Sequence, residues 1–255
     1  MDIQKVVKII QETDRIFFDE NLRNDVTVKG ASDYVTRADT EISAYLHKRL
    51  KEEFPDVGFM SEEEDAEVES GADYWILDPI DGTTNFMHGL SLSAVSLGFC
   101  SGGEIVAGVI YIPYTKEIFR AEKGKGAYLN GERIECSKNA RLSDCLGLME
   151  FNPYFKNDSA SALEHARKIF SACQDIRTFG SAAVELAYIA CGRADVFLGR
   201  YLKPWDYAAG IAIVGEAGGI VTNSDRKICM TELNQHIVAS NSEVYEEFLA
   251  LINDV

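Results

Sequence analysis

The sequence predicts an α+β protein in which an antiparallel-rich first half is followed by an α/β second half. Apolar, β-branched runs at 91–100 and 104–112 are joined by Ser101-Gly102-Gly103, which indicates a β-hairpin. The later part of the chain alternates strand-like and helix-like patterns. No linker separates the parts, so we expect residues 1–140 and 141–255 to pack tightly and to enclose an active site between them.

The first part of the chain predicts two helices separated by a polar segment. Apolar side chains recur at helical spacing from Ile3 to Phe18 and again from Thr40 to Phe54. Between them, Asn24 to Ser32 is polar and predicts a flexible loop or hairpin around Lys29. Asp39 would lie at the start of the second helix, where an aspartate is most often an N-cap.

A short apolar strand is predicted from Val57 to Met60, and an acidic run follows it. Such runs are usually solvated loops. Because this one comes just before the central motif, we expect Glu62 to point toward the same site. Residues 64–71 are expected to be exposed and mobile.

The central motif begins with Tyr74 to Leu77, an apolar and aromatic run that predicts a buried strand. Pro79 lacks a backbone donor and Gly82 permits a tight turn. We therefore expect Asp78 and Asp81 on an irregular loop at the carboxyl end of that strand, where α/β proteins bind ligands.

Two carboxylates three residues apart, with the Thr83 hydroxyl and nearby backbone carbonyls, offer the all-oxygen set that Mg²⁺ prefers. An Asp-Pro turn followed by a glycine turn is the alternative explanation of this run. The aspartyl-phosphate motif of the haloacid dehalogenase phosphatases is excluded, because its two aspartates are closer together in sequence.

The remaining elements follow from the same patterns. Strands are predicted at 118–121 and 127–129, with Asn130-Gly131 as a tight turn. In the second half, the predicted strands are 146–151, 175–179, 194–198, 220–222 and 236–240, and the predicted helices are 159–173, 180–191 and 206–216. Ser240 and Glu243 have the spacing of a capping box and predict a last helix.

The composition is that of a globular protein with an acidic surface. Apolar residues make up 46% of the chain and charged residues 26%, and the formal net charge is −16. This charge argues against nucleic acids and anionic membranes as partners. A phosphate substrate would also be repelled unless bound divalent cations reversed the local field.

The 6 cysteines are scattered and include no Cys-x-x-Cys pair. This pattern predicts buried free thiols in a reducing cytoplasm rather than a zinc site or a disulfide framework. The first residues lack an apolar signal-peptide region, and no run reaches membrane-spanning length. We therefore expect a cytoplasmic protein.

A second informative stretch runs from Lys203 to Gly210. Asp206 in it follows Pro and Trp, and capping of the next helix is the simplest explanation. Small residues at 208–210 would let that helix pack closely and bring Asp206 near another element. Gly180 and Ser181, at the start of another helix, offer backbone N–H groups for an oxygen-rich substrate.

Four motifs together resemble the inositol monophosphatase family of Mg²⁺-dependent, lithium-sensitive phosphatases. They are Asp33 to Asp39, Ser61-Glu62-Glu63, Asp78 to Asn85 and Trp205 to Gly210. They occur in the family's order and roughly its spacing, over nearly the whole chain. The resemblance implies a layered αβαβα sandwich, commonly assembled as a homodimer, that hydrolyses a phosphate monoester.

The resemblance also implies a metal-ligand set for two to three Mg²⁺ ions. Its members are Glu62, Asp78, the carbonyl of Ile80, Asp81, Thr83 and Asp206. Without cations, such converging carboxylates would raise one another's pKa. Bound Mg²⁺ would lower the pKa of a water and stabilise the attacking and leaving oxygens. We therefore predict direct in-line attack by water without a covalent phospho-enzyme.

Further roles implied by the resemblance concern the substrate and the water. Thr83 and Asp39 would orient the attacking water, with Glu62 also serving the chemistry. Substrate contacts are expected from Asp81, Gly82, Thr83, Gly180, Ser181 and Ala182. Lys29 would correspond to a mobile-loop lysine near the metals.

One position departs from the family's pattern. Many members carry a glutamate, seven residues before the aspartate of the Trp-Asp motif, that binds inositol hydroxyls; here the residue is Gly199. Arg200 and Lys203 lie close by. As substrate-binding residues they would suit a second anionic group, as in fructose 1,6-bisphosphate, although they could equally form salt bridges with the acidic surface.

Three alternatives therefore stand beside a polyol phosphatase. The first is a fructose-1,6-bisphosphatase, and the second is a 3′-phosphoadenosine 5′-phosphate or histidinol-phosphate phosphatase. The third, from another class, is a non-catalytic regulatory protein that keeps the metal site and binds another protein.

Overall fold

The computed structural model of the chain describes residues 2–30, 32–64, 72–228, 230 and 232–254. Of the segment 64–71, which the sequence predicts to be mobile, residues 65–71 lie outside the described residues, as does Cys229. The five described cysteines are free, and four of them are buried. None of the helices described is long and apolar enough to cross a membrane.

Most of the first half forms one large antiparallel-rich sheet. The helices of this half are α1 (Ile3–Gln11), α2 (Asp14–Phe17), α3 (Glu20–Asn24), α4 (Arg37–Glu53) and α5 (Thr83–Met87). Its strands are β1 (Val26–Gly30), β2 (Asp33–Thr36), β3 (Gly58–Ser61), β4 (Tyr74–Asp81), β5 (Ala94–Ser101), β6 (Glu104–Ile112), β7 (Glu117–Glu122), β8 (Gly126–Leu129) and β9 (Glu132–Ile134). Strands β1 and β2 form a separate hairpin, and β3 to β9 lie side by side in chain order. Only β3 and β4, of the described strands in this sheet, run parallel.

The second half forms a mixed sheet. Its helices are α6 (Ser159–Ala172), α7 (Ala182–Ala190), α8 (Pro204–Glu216) and α9 (Tyr245–Asn253). Its strands are β10 (Leu146–Glu150), β11 (Asp175–Arg177), β12 (Val196–Leu202), β13 (Gly219–Asn223) and β14 (Gln235–Asn241). The order is β11-β10-β12-β14-β13, in which β10 is parallel to both neighbours and β14 is antiparallel to both of its own.

Three helical layers cover and separate the two sheets. Helices α1 and α4 bury their apolar faces, including Ile42, against β4, β5 and β6. Helices α7 and α8 lie between the sheets and touch both, for example at Phe119 and Phe197. Helices α6 and α9 close the far face of the second sheet around Phe248. These five layers confirm the αβαβα sandwich, and each fully buried large apolar side chain stabilises it by roughly 1.5–3 kcal/mol.

Two local predictions need correction. The first helix does not reach Phe18, because the chain turns at Thr13, whose hydroxyl donates to the Ile10 carbonyl at 2.6 Å. The predicted capping box at the last helix is wrong. Asn241 Oδ1 instead accepts the backbone N–H groups of Glu243 and Val244, at 3.0 and 3.2 Å, and α9 begins after them.

Candidate active site

A cleft of about 300 Å³ opens between the two sheets and is lined from both halves of the chain. The lining residues used below are Glu62, Asp78, Ile80, Asp81, Gly82, Thr83, Asn85, Glu150, Gly180, Ala182, Lys203 and Asp206. Every predicted metal ligand therefore reaches the same cleft. The lining comes from both sides of the predicted division near residue 140.

Strand β4 presents the two aspartates of the central motif. All of its residues are buried, and it continues to Asp81 rather than ending at Pro79. The pairing with β5 is irregular between Asp78 and Asp81, where the proline cannot donate to the ladder. The predicted loop is therefore a bulge within a strand, a feature that re-aims side chains next to active sites.

Glu62 stands beside Asp78 because their strands are parallel neighbours. Strand β3 ends at Ser61, and the Glu62 N–H donates to the Leu77 carbonyl at 3.1 Å. The carboxyl end of β3 thus lies beside Leu77 of β4, which places Glu62 next to Asp78.

Asp206 reaches the cleft because α8 approaches the first sheet unusually closely. A Cβ on Gly108 would lie 2.4 Å from the Ala209 carbonyl oxygen, and one on Gly98 would lie 2.7 Å from Ala208 Cβ. The small residues after Asp206 therefore allow helix and sheet backbones to touch, as predicted. Asp206 Oδ2 also accepts the Lys203 N–H at 2.8 Å, so it caps the helix and faces the cleft at once.

Asp81 is held by the start of α7. Its Oδ2 accepts hydrogen bonds from the Ser181 hydroxyl and from the Ala183 N–H, both at 2.6 Å. Gly82 follows with φ +86°, and a Cβ there would lie 2.9 Å from the Gly180 carbonyl oxygen. The turn after Asp81 thus requires glycine, both for its backbone angle and for the close approach of the second half.

The Thr83 hydroxyl and the Asp39 carboxyl group lie close to each other. The Thr83 hydroxyl is 3.1 Å from the Ile80 carbonyl oxygen and 3.4 Å from Asp39 Oδ1. Asp39 is buried, and its other oxygen accepts the Thr36 N–H at 2.8 Å. Thr36 is the N-cap of α4, so Asp39 is the third helical residue of a capping box rather than the N-cap itself.

Burial and mutual repulsion raise the pKa values of the acidic side chains in the cleft. Burial is the largest cause in each case. It raises the pKa of Asp81 to about 6, of Asp206 to about 7 and of Glu62 to about 8, and it raises that of Asp78 well above its usual range. Negative neighbours add to the shift, for example Asp206 acting on Glu62. The positive charge of Lys203 opposes it only in part.

The donor set fits a hard divalent cation. Four carboxylates and the Ile80 carbonyl supply oxygen only, and the carboxylates are close enough to disfavour one another's charge. In their present arrangement, no group of three or more His, Cys, Asp or Glu side chains among the described residues is positioned to hold a metal ion. The ligand atoms of the site thus suit Mg²⁺, although the carboxylates are not arranged around one common metal position.

The other predicted site residues fall into two groups. Gly180, Ala182 and Lys203 line the cleft, and the Lys203 ammonium lies over the Trp205 ring at 5.3 Å. Ser181 does not line it but positions Asp81. Lys29 also lies outside the lining, and its Nζ is 2.6 Å from the carboxylate of Glu63, the residue after Glu62.

Arg200 is not brought into the cleft. Its guanidinium is buried against α6, where it donates to Asp158 and contacts His165. Its charge is therefore met by an acidic side chain outside the cleft lining. The geometry supports the salt-bridge explanation of this arginine and gives no support to a role in substrate binding.

The comparison with known proteins decides the family. The sequence model of the Inositol monophosphatase family matches residues 1–255. The chain belongs to the inositol monophosphatase family. It is accordingly a phosphoric monoester hydrolase, and members of this family generally depend on Mg²⁺.

Relatives within the inositol monophosphatase family cover most of the chain. A Thermotoga maritima protein named fructose-1,6-bisphosphatase/inositol-1-monophosphatase is 38% identical over 226 residues, which are 89% of this chain and 85% of the relative. An inositol-1-monophosphatase of Mesorhizobium japonicum is 36% identical over 252 residues, covering 98% and 94% of the two chains. The solved structure of extragenic suppressor protein suhB from Bartonella henselae superposes with a TM-score of 0.91 at 34% identity, covering 98% and 97%.

Two polar residues of this inositol monophosphatase family member, Asn85 and Glu150, were missed as site residues. Asn85 donates from one amide nitrogen to the Leu92 carbonyl at 2.8 Å and to the Phe179 carbonyl at 2.5 Å, which ties the motif to the second half. Glu150 lines the cleft at the end of β10, and Glu185 lies fully buried behind it. A signal for Glu150 existed in the sequence, because it follows an apolar run and comes shortly before a proline, as Asp78 does.

Proposed function

We propose that this enzyme hydrolyses the phosphate monoester of a small polyol or sugar, of the inositol 1-phosphate type, by direct attack of water with Mg²⁺ as cofactor. The observation that carries the proposal is the convergence of Glu62, Asp78, Asp81 and Asp206 in one cleft. These side chains and the Ile80 carbonyl would hold two to three Mg²⁺ ions. When bound, the ions would neutralise the carboxylates, acidify a water and stabilise the charge of the transferred phosphoryl group.

The chain's own groups would position the reactants. The Thr83 hydroxyl, which is placed between Asp39 and the Ile80 carbonyl, would orient the attacking water. Backbone N–H groups of Gly82 and Thr83 would bind phosphate oxygens. Asp39 has its pKa raised to about 6, mainly by burial, and at neutral pH it can accept a hydrogen bond from that hydroxyl.

A single phosphate suits the cleft better than two. Arg200, the main candidate for binding a second phosphate, lies elsewhere and is paired with Asp158. Gly180 and Ala182 would contact the hydroxyl-bearing part of the substrate, and Lys203 is the cationic side chain that remains in the described lining. We also propose a homodimer in the cytoplasm without nucleic-acid or membrane partners. Light scattering of the purified protein tests the dimer.

The test is a substrate panel run with Mg²⁺ and with chelator. It contains inositol 1-phosphate, glycerol 2-phosphate, fructose 1,6-bisphosphate, histidinol phosphate and 3′-phosphoadenosine 5′-phosphate. We expect Mg²⁺-dependent phosphate release that is fastest from inositol 1-phosphate. A lead for the bisphosphate would contradict the proposed substrate class, and no release from any ester would contradict the proposed function as a whole.

A further inference from the structure

One oxygen in the cleft wall has no protein partner. Glu150 ends β10 and lines the cleft, and its Oε2 is buried without a hydrogen bond among the described residues. Leaving a buried polar atom unpaired destabilises a fold by about 1–3 kcal/mol. Glu150 itself is partly exposed and lines the cleft, so a small rotation of its carboxyl group would present this oxygen to a ligand's donor.

The neighbouring strand explains why this acidic group stands at 150. Glu150 is paired in register with Gly199 of β12, the position at which the sequence departs from its family. A Cβ on Gly199 would lie 2.3 Å from Leu202 Cδ1 and 2.7 Å from Phe197 Cζ. No side chain fits at 199 unless those two move, whereas the adjacent strand carries a carboxyl group at the same level of the sheet.

The charges around Glu150 favour a neutral donor over a second phosphate. The ionisable neighbours of Glu150 include the carboxyl groups of Glu185, Asp81 and Asp206. Arg200 follows Gly199 in sequence, but its guanidinium is turned toward Asp158. An anionic substituent at this wall would therefore not meet the Arg200 guanidinium, while a hydroxyl could donate its hydrogen to Oε2.

We propose that Glu150 is a specificity-determining residue that accepts a hydrogen bond from a substrate hydroxyl, so that the cleft selects singly phosphorylated polyols. The inference rests on the proposed function and names the substrate class for that same site. It places the acidic hydroxyl acceptor of this protein on β10 rather than on β12.

The experiment compares two esters that differ only in their hydroxyls. Inositol 1-phosphate and cyclohexyl phosphate share a six-membered carbon ring and an ester bond, but the second has no hydroxyl to donate. We expect Glu150→Ala to lower the ratio of their kcat/KM values, inositol ester over cyclohexyl ester, by about 10- to 100-fold. Glu150→Gln keeps the size of the side chain and one acceptor, so it should lower the ratio less.

A matched control is Glu185→Gln. Glu185 is also a buried glutamate with an unpaired Oε2, but it does not line the cleft, so its substitution should leave the ratio at the wild-type value. An unchanged ratio in both Glu150 variants would overturn the proposal. An equal loss on both esters would also overturn it, because Glu150 would then act at the phosphate end.

Direct binding separates this inference from the proposed function. If the wild-type protein released no phosphate from any ester, the proposed function would fail, and calorimetric titration with the two esters would decide the role of Glu150. Binding of inositol 1-phosphate that weakens about tenfold or more in Glu150→Ala, with cyclohexyl phosphate much less affected, supports the proposal. Equal binding by wild-type protein and variant contradicts it.

Discussion

The two walls of the cleft are built in different ways. The motif wall, residues 78–85, is one continuous run that bulges out of β4 and turns into α5. The strand wall, residues 150–154 and 199–206, comes from β10 and β12 and the segments that follow them. These segments are distant in sequence and are brought together by the pairing of the two strands and by the hydrogen bond from the Asn152 amide to the Tyr201 carbonyl at 2.9 Å. In the proposed function, the motif wall supplies most groups for chemistry, together with Glu62 and with Asp206 of the strand wall, and the rest of the strand wall faces the remainder of the substrate. Most of the proposed chemistry is thus encoded in one local run, while the proposed selectivity depends on how two distant strands pair.

The largest expected effect lies on the motif wall. Asp78→Asn should lower kcat by about 10³-fold or more, because one anionic ligand of the proposed cation site is lost. The fold should survive, since an asparagine oxygen can still accept the Ile80 N–H that Asp78 Oδ1 accepts at 3.0 Å. Mg²⁺-dependent phosphate release and circular dichroism measure the two quantities. Asp56→Asn on the surface is the matched control, and full activity in Asp78→Asn would remove this residue from the metal set.

Behind the strand wall, Glu185 should make stability depend on pH. Burial raises the pKa of Glu185 to about 8, and its unpaired Oε2 lacks a donor for the charged form. Its folded-state pKa lies above the unfolded value, so the native state binds more protons at intermediate pH. The contribution to stability is therefore full at acidic pH and is lost as pH rises toward 8.

Glu185→Gln removes that titration. The free energy of unfolding of the variant, minus that of wild type, should increase by about 3 kcal/mol between pH 5 and pH 8. Urea unfolding in chelator at both pH values measures the difference. Because the other buried carboxylates titrate in both proteins, their effects largely cancel. A constant difference across this range would show that Glu185 is already ionised in the folded protein.

A smaller effect is expected from the water-orienting pair on the motif wall. Thr83→Ala should lower kcat by about 10- to 100-fold, because the hydroxyl beside Asp39 is lost. Thr83→Ser keeps the hydroxyl and should retain most of the activity. Steady-state kinetics on inositol 1-phosphate compare the two variants. If Thr83→Ala and Thr83→Ser were equally active, the Thr83 hydroxyl would have no role in catalysis.

The same contrast shows how far the sequence could predict the site. Asp78, Asp81 and Thr83 lie within six residues of one another, so their proximity could be predicted without knowledge of the fold. The more distant members of the proposed metal-ligand set, Glu62 and Asp206, were supplied by the family resemblance. Glu150 could not be placed beside Gly199 without the β10–β12 register.

Arg200 shows the limit most clearly. The pairing of β12 with β14 shifts between Gly199 and Leu202, and Tyr201 has φ +54°. Such an irregularity changes which face of the sheet a side chain takes, so strand alternation alone could not indicate where this arginine points. The division near residue 140 remains a prediction. The layer order, in contrast, followed from the family resemblance and is confirmed.

Hydrogen bonds of two motif-wall residues join the halves at the cleft itself, among them Ser181 with Asp81 and Asn85 with the Phe179 carbonyl. Each uses a residue of the motif wall and a partner about a hundred positions later in the chain. A chimera that combines the first half of one relative with the second half of another would therefore be active only if the two residues of each contact were still compatible. For recombination between homologous genes, this chain behaves as one indivisible unit, although its sequence reads as two parts.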